Sequence, residues 1–111
     1  MSPPVTELAP PAHMDVESAA LTLDQLGNLT RLKIVRLLVK AGNDGLAVGE
    51  IQRALEIPAS TLSHHLQHLK SAGLVGQTRH AATLRCRVNY PRIEALVDFL
   101  TAECCVEVDV S

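Results

Sequence analysis

Three cysteines and two histidines are the side chains of this 111-residue sequence whose types and spacing could bind a ligand through coordination or covalent chemistry. Cys104 and Cys105 are adjacent near the carboxyl terminus, and Cys86 precedes them. Thiolates prefer soft ions, and they are also the groups that oxidants and sulfane sulfur modify. His64 and His68 have the i, i+4 spacing of metal ligands on a helix, but no third ligand is evident nearby, so we favour a non-metal role for them.

The elements that must position these side chains are short helices and a pair of strands. Apolar periodicity predicts helices over residues 16–26, from residue 30 to a turn at 41–45, and over 48–55, 59–72 and 91–104. Gly27, Pro58 and Gly73 provide the breaks between them. Two strands flank residues 80–83, and in the second strand Cys86 faces the packed side while Arg85 and Arg87 face solvent. The predicted fold class is therefore mainly α with a small β-hairpin.

The chain is predicted to hold one folded domain with a tail at each end. Residues 1–14 contain four prolines and are expected to form an extended tail, residues 15–105 the domain, and residues 106–111 a second tail. No apolar run is long enough to span a bilayer, and the amino terminus lacks the features of a signal peptide. We therefore expect a cytoplasmic protein, in which the three cysteines are free thiols or ligands rather than structural disulfides.

The helix over residues 59–72 and the hairpin after it have the pattern of a winged helix that reads double-stranded DNA. Small and polar side chains at the start of that helix can reach phosphates and base edges in the major groove. Basic side chains further along can bind phosphates or enter the minor groove. The candidate DNA-binding residues are Ser60, Thr61, Ser63, His64, Gln67, Lys70, Arg79, Arg85 and Arg87. His65 shares the leucine stripe of the helix, so we interpret it as a hydrogen-bonded core histidine.

The charge of the sequence is unevenly distributed in a way that favours a DNA partner. Residues 57–93 contain no Asp or Glu and carry +5, whereas the rest of the chain carries −7. Such a local positive field attracts a phosphate backbone even when the whole chain has a net charge of −2. An enzyme is not indicated, because the sequence has no Cys-X-X-Cys motif, no βαβ pattern and no phosphate loop.

Apolar faces on the first and last helices are left uncovered by the predicted fold. A twofold homodimer through these two helices would cover both faces. It would also place the two reading helices about one turn of DNA apart on a palindromic site.

At this point the sequence resembles the ArsR/SmtB family of bacterial winged-helix repressors. The matching segments are residues 26–38 (LGNLTRLKIVRLL), residues 60–75 (STLSHHLQHLKSAGLV) and the arginine-bearing hairpin. The resemblance covers residues 16–105. It implies a homodimer that blocks transcription when it is unliganded and leaves its operator when an inducer binds, often in an operon for arsenic or metal resistance.

The resemblance also narrows the range of candidate inducers. One arsenic-sensing class carries closely spaced cysteines on the helix before the reading helix, and residues 47–53 here contain none. The zinc-sensing class needs histidine on the last helix, where this chain offers Asp98 and Glu103 only. Residues 98–105 resemble arsenic-responsive members whose last helix ends in a vicinal cysteine pair, although no further cysteine follows here.

The predicted metal site therefore consists of Cys86, Cys104 and Cys105, with trivalent arsenic as the inducer and no catalytic cofactor. Adjacent helical residues point about 100° apart, and Cys104 continues the apolar stripe of the last helix. We therefore pair Cys86 with Cys104 and treat Cys105 as an optional third ligand. Two thiolates suit methylarsenite and three suit arsenite. The alternatives are a thiol-redox or persulfide-responsive repressor of the same fold, and a buried Cys86 that acts only as a small apolar side chain.

Overall fold

Helices make up most of the part of the chain that the computed structural model describes, residues 14–108. The helices are α1 (Val16–Leu26), α2 (Leu29–Ala41), α3 (Val48–Leu55), α4 (Ala59–Ser71) and α5 (Tyr90–Thr101). The strands are β1 (Leu46–Ala47), β2 (Val75–His80) and β3 (Thr83–Val88), and a 3₁₀ turn at Gly42–Asp44 precedes β1. The predicted fold class, a mainly α winged helix-turn-helix with a small β-hairpin, is confirmed.

Three helices begin where a side chain satisfies a free amide group, and two begin at a proline. The Asp15 carboxylate accepts a hydrogen bond from the Ser18 amide at α1, and the Asn28 side chain accepts one from the Arg31 amide at α2. Glu50 accepts from the amide of Ala47 at the start of α3. α4 follows Pro58, whose extended backbone (ψ 150°) precedes the first helical residue, and α5 has a proline in its first turn. The predicted starts of the helices lie within one residue of the observed ones.

The sheet has a third strand that the sequence analysis missed. Its order is β1-β3-β2, antiparallel throughout, with Leu46 opposite Cys86 and Gln77 on the other side of Cys86. Gly45 leads into β1 with φ +65°, and a Cβ atom at this position would lie 2.1 Å from the carbonyl oxygen of Cys86. Glycine is therefore required for the turn to approach the central strand so closely.

Two apolar clusters hold the fold together. The larger one joins α2, α3, α4 and the hairpin, and its fully buried members include Ile34, Leu38, Leu62 and Cys86. The smaller one joins α1 to α5 through Met14, Ala19 and Leu96, and Leu26 packs against both clusters. The reading helix is thus embedded in one cluster, while the first and last helices form a second, smaller layer.

Two expectations about burial and boundaries need correction. Met14, predicted as the end of a loose tail, is buried against α1 and α5, while residues 1–13 and 109–111 lie outside the described residues. α5 ends at Thr101 rather than near Cys104, and residues 102–105 form turns. Within residues 14–108, no helix is long and apolar enough to cross a membrane.

Candidate functional site

α4 presents the predicted DNA-reading residues on its outer surface. Leu62, Leu66 and Leu69 anchor the helix in the larger cluster. The remaining sides of the helix therefore face outward and carry its polar groups. The candidates on this helix are all exposed, and they are Ser60, Thr61, Ser63, His64, Gln67 and Lys70. The arrangement leaves a row of small and amide side chains free to enter a groove.

The histidines of α4 form a contacting cluster beside this row. The rings of His64 and His68 meet edge to face with centroids 4.5 Å apart, and the rings of His64 and His65 lie 5.9 Å apart. The Arg31 guanidinium donates from Nε to Nδ1 of His65 over 3.1 Å, which confirms the predicted hydrogen bond, although His65 is half-buried and not a core residue. Partial burial, together with the charges of Arg31 and the neighbouring histidines, lowers the pKa of His65 below 6.5. The pKa of His68 is lowered for the same reasons.

Arg31 is a functional candidate that the sequence analysis missed. It lies on α2 and also donates through a second nitrogen to Oε1 of Gln25 on α1, at 2.9 Å. A signal for it exists in the sequence: position 31 precedes the buried Ile34 and Leu38 by three and seven residues, so it shares their inward face. An inward arginine on α2 and a histidine on the leucine stripe of α4 indicate a possible polar contact between the two helices.

The hairpin arginines differ in their availability to DNA. Arg79 on β2 is exposed. Arg85 was predicted to face solvent and bind phosphate, but its guanidinium donates to the carbonyls of Asp44 and Gly45 at 3.0 and 3.1 Å and lies 4.0 Å from the Glu50 carboxylate. Arg87 is half-buried. Of the three predicted hairpin residues, Arg79 is the exposed one, whereas the side chain of Arg85 is hydrogen-bonded to the turn before β1.

A cavity of about 190 Å³ lies between α4 and the hairpin. Ser63, Leu66, Gln67 and Lys70 line it from α4, and Gln77 and Leu84 line it from the hairpin. Gln77 also donates from its amide nitrogen to the sulfur of Cys86 at 3.3 Å. The space between the reading helix and the wing therefore has both polar and apolar walls.

Cys86 lies in the core of the protomer. Its side chain is fully buried on β3 within the larger cluster. Burial raises the pKa of the thiol, while the Gln77 hydrogen bond and the charge of Lys70 oppose that rise. A neutral, enclosed thiol is a poor nucleophile and a poor ligand in this conformation.

Cys104 and Cys105 are exposed, and their sulfur atoms lie 3.1 Å apart in the turns that follow α5. The hydrogen bond between the two thiols, with slight desolvation, raises the pKa of Cys104. Because α5 ends at Thr101, Cys104 does not continue its apolar stripe; Cys104 is exposed and Cys86 is buried. Residues 14–108 contain no group of three or more His, Cys, Asp or Glu side chains arranged to hold a metal.

Comparison with known proteins relates the chain to DNA-binding regulators. Residues 26–77 match the family described as a helix-turn-helix domain. The chain is 32% identical over 82 residues to the transcriptional activator HlyU of Vibrio cholerae, covering 74% of this chain and 73% of HlyU. The HlyU structure superposes with a TM-score of 0.64, covering 83% of this chain and 99% of that one, and reduced HlyU superposes with a TM-score of 0.63.

Two further relatives carry a family assignment. The homodimeric winged helix-turn-helix DNA-binding domain of Mb0332 from Mycobacterium bovis, a possible ArsR-family regulator, is 33% identical with a TM-score of 0.63. That alignment covers 79% of this chain and 82% of the domain. An ArsR protein of Halobacterium salinarum, assigned as repressor of an arsenical resistance operon, is 42% identical over 60 residues, which are 54% of this chain and 46% of that protein.

Proposed function

This chain belongs to the ArsR family of winged helix-turn-helix transcriptional regulators, and from that membership we propose a cytoplasmic, homodimeric repressor that leaves its operator when trivalent arsenic binds its thiols. Regulators of this kind bind DNA and do not turn over a substrate, so the chain is not an enzyme. The DNA partner follows from the helix-turn-helix domain. The repressor role, the inducer and its ligands are the proposal.

The observation that carries the proposal is the exposed pair of sulfur atoms at Cys104 and Cys105, 3.1 Å apart. A single atom bonded to both sulfurs at about 2.3 Å, the length of a zinc–thiolate bond, bridges that distance with little movement. Trivalent arsenic is soft and thiophilic, which matches two thiols and no hard oxygen or nitrogen ligand. The operon assignment of the Halobacterium relative supports the same chemistry.

The pair favours methylarsenite over arsenite. In methylarsenous acid the carbon occupies one position of arsenic, and two hydroxyl groups remain to be exchanged. Cys104 and Cys105 replace them: two As–S bonds form, two As–O bonds break, and two water molecules leave without a change of oxidation state. Arsenite has a third position to fill, and in this conformation Cys86 is buried away from it.

The pair lies at the end of α5, and this position connects ligand capture to DNA release. Val97 and Leu100 expose the apolar face of α5, which we assign to the homodimer interface together with the exposed face of α1. Arsenic would clamp residues 104 and 105 together and change how the ends of α5 pack in the dimer. A coupling of roughly 2–3 kcal/mol would weaken operator binding about 30- to 150-fold.

The residues that we propose to contact DNA are chosen by their exposure. α4 enters the major groove with Ser60, Thr61, Ser63, His64 and Gln67, while Lys70 and Arg79 bind phosphates. Arg87 is a secondary candidate, and Arg85 supports the wing through the turn at Asp44 and Gly45.

A release titration tests this function. The reduced full-length protein is bound to labelled DNA from upstream of its own gene, and anisotropy is followed as methylarsenite, arsenite, antimonite or zinc is added. We expect release by methylarsenite at the lowest concentration and none by zinc. C104S and C105S should abolish the response, whereas C86A should retain it. A response that survives in C104S and is lost in C86A would refute the thiol pair as the sensor.

The second candidate is a thiol-redox or persulfide-responsive repressor, which the contact between the two sulfurs also favours. Oxidation would join Cys104 to Cys105 with loss of two electrons and two protons to a peroxide or a sulfane donor. The existence of a structure of the HlyU relative in a reduced form supports this candidate. Release by peroxide or persulfide that dithiothreitol reverses, with no release by methylarsenite, would favour this candidate.

A further inference from the structure

Four side chains connect three helices in one hydrogen-bonded series that the DNA-reading surface does not include. Asp24 and Gln25 lie on α1, Arg31 on α2 and His65 on α4. The Gln25 amide donates to the Asp24 carboxylate at 3.4 Å, Arg31 donates to Gln25 at 2.9 Å, and Arg31 donates to His65 at 3.1 Å. The series therefore runs from the first helix to the helix that faces DNA.

The shape of the arginine side chain makes this connection possible. Its planar guanidinium holds Nε and a terminal nitrogen in a fixed geometry, and here the two nitrogens donate to acceptors on different helices. A lysine has one nitrogen at the end of a flexible stem and cannot reproduce that fork. The contacts to Gln25 and His65 are both partly buried, so the loss of one partner leaves a polar group poorly solvated.

The histidine at the end of the series must be neutral for the connection to exist. Arg31 donates to Nδ1 of His65, and a protonated imidazolium has no lone pair there. The charged or titratable groups facing His65 are Arg31 from α2 and His64 and His68 from α4, and Asp24 on α1 reaches it only through Gln25 and Arg31. These surroundings lower the pKa of His65, which keeps the acceptor available at neutral pH.

We propose that Arg31 is a positioning residue for DNA recognition: by bonding Gln25 and His65 at once, it fixes the orientation of α4 relative to α1. This inference rests on the proposed role of α4 in reading the operator. Arg31 bonds to the imidazole of His65, which itself lies on the leucine stripe of α4 rather than among its exposed polar residues. A movement of α1 in the dimer is transmitted to the reading helix through this arginine.

The first test measures operator affinity and its salt dependence for R31M, R31K and the control R36M, which removes an exposed arginine from the same helix. R31M and R31K should weaken binding about tenfold, the effect of losing a hydrogen bond to a charged group. The slope of log affinity against log salt should equal that of the wild type, because no phosphate contact is lost. R36M should change affinity by about twofold or less at physiological salt.

The second test is a double-mutant cycle of R31M with H65L, and the conservative variant H65Q. Because the two residues share one bond, R31M/H65L should bind about as weakly as either single variant. H65Q keeps an acceptor for Arg31 and should restore affinity to within about twofold of the wild type. The coupling should shrink as the pH is lowered, because protonation of His65 removes the acceptor for Arg31. His64 and His68 are common to all four proteins of the cycle.

The outcomes separate this inference from the proposed function. Absence of DNA binding by the wild-type protein would overturn both. Wild-type binding together with unchanged affinity in R31M, or a reduced salt slope in R31M, would overturn the positioning role alone. Thermal melting of each variant is measured in parallel. If the losses of operator affinity in R31M and H65L are additive in the double variant, they reflect a general loss of folding instead of the loss of one specific bond.

Discussion

The three cysteine side chains should differ in reactivity because the fold buries one of them and exposes the other two. Cys86 is fully buried with a raised pKa, whereas Cys104 and Cys105 are exposed. We therefore expect Ellman's reagent to titrate the two exposed thiols of the native protein rapidly and the third only after unfolding. C86A should remove the slow thiol and leave the fast ones. Three equally fast thiols would contradict the buried position of Cys86.

A second residue-scale prediction concerns pH. Because the pKa of His65 is lowered in the folded state, its neutral form contributes stability that is fully present above pH 6.5 and is lost as pH falls towards the folded pKa. Urea unfolding of the wild type and H65Q should therefore show the wild-type advantage shrinking between pH 7.5 and 5.5. If the stability advantage of the wild type grows on acidification, the pKa of His65 is raised and not lowered by folding.

Single residues were predictable where burial follows from spacing. The leucine stripe of α4 predicted a bonded histidine at position 65, and alternation along β3 predicted a packed Cys86. The expectation that Cys104 continues the apolar stripe of the last helix was wrong, because α5 ends at Thr101. No glycine or proline marks that end, and Cys105 adopts φ +67° although it carries a side chain.

At the scale of the elements, the turn into β1 is the most constrained point. A methyl group at Gly45 would meet the Cys86 carbonyl at 2.1 Å, and φ is +65°. We expect G45A to destabilise the protein by roughly 2–4 kcal/mol in urea unfolding. G76A is the matched control, because a Cβ at this position meets nothing within 4 Å. Equal stability of the two variants would contradict the close approach of β1 to β3.

The hairpin makes a further prediction about phosphate contacts. Arg79 is exposed, whereas Arg85 is engaged by the carbonyls of Asp44 and Gly45. R79M should reduce the slope of log affinity against log salt by about 0.9. R85M should leave that slope nearly unchanged and lower the melting temperature instead. Both slopes come from one anisotropy titration series at several salt concentrations, and the reverse pattern would assign the phosphate contact to Arg85.

The helices were predictable because apolar periodicity and the breaks at Gly27, Pro58 and Gly73 mark their extents. β1 was not, since two residues after a glycine turn have no periodicity of their own. Its existence depends on the edge of β3, a tertiary partner that no local pattern reveals. Arg85 was misassigned for the same reason, because its partners lie in that turn.

At the scale of the whole molecule, the uncovered apolar faces predict an obligate partner of the same chain. Leu21 is 68% exposed on α1 and Leu100 is 60% exposed on α5, and the relative Mb0332 is homodimeric. L100E should shift the protein to monomers in sedimentation or light scattering and weaken operator binding by at least about tenfold, since two reading heads act together. V39E, which adds the same charge on α2, is the matched control. A dimer that persists in L100E would show that the interface lies elsewhere on the protein.

The separation of the two apolar clusters has a consequence for substitutions in the outer layer of α1 and α5. Within residues 14–108, Leu26 packs against both clusters, and Arg31 bonds both Gln25 on α1 and His65 on α4. Apolar substitutions on α1 and α5 away from these contacts should therefore leave the packing around α4 largely unchanged.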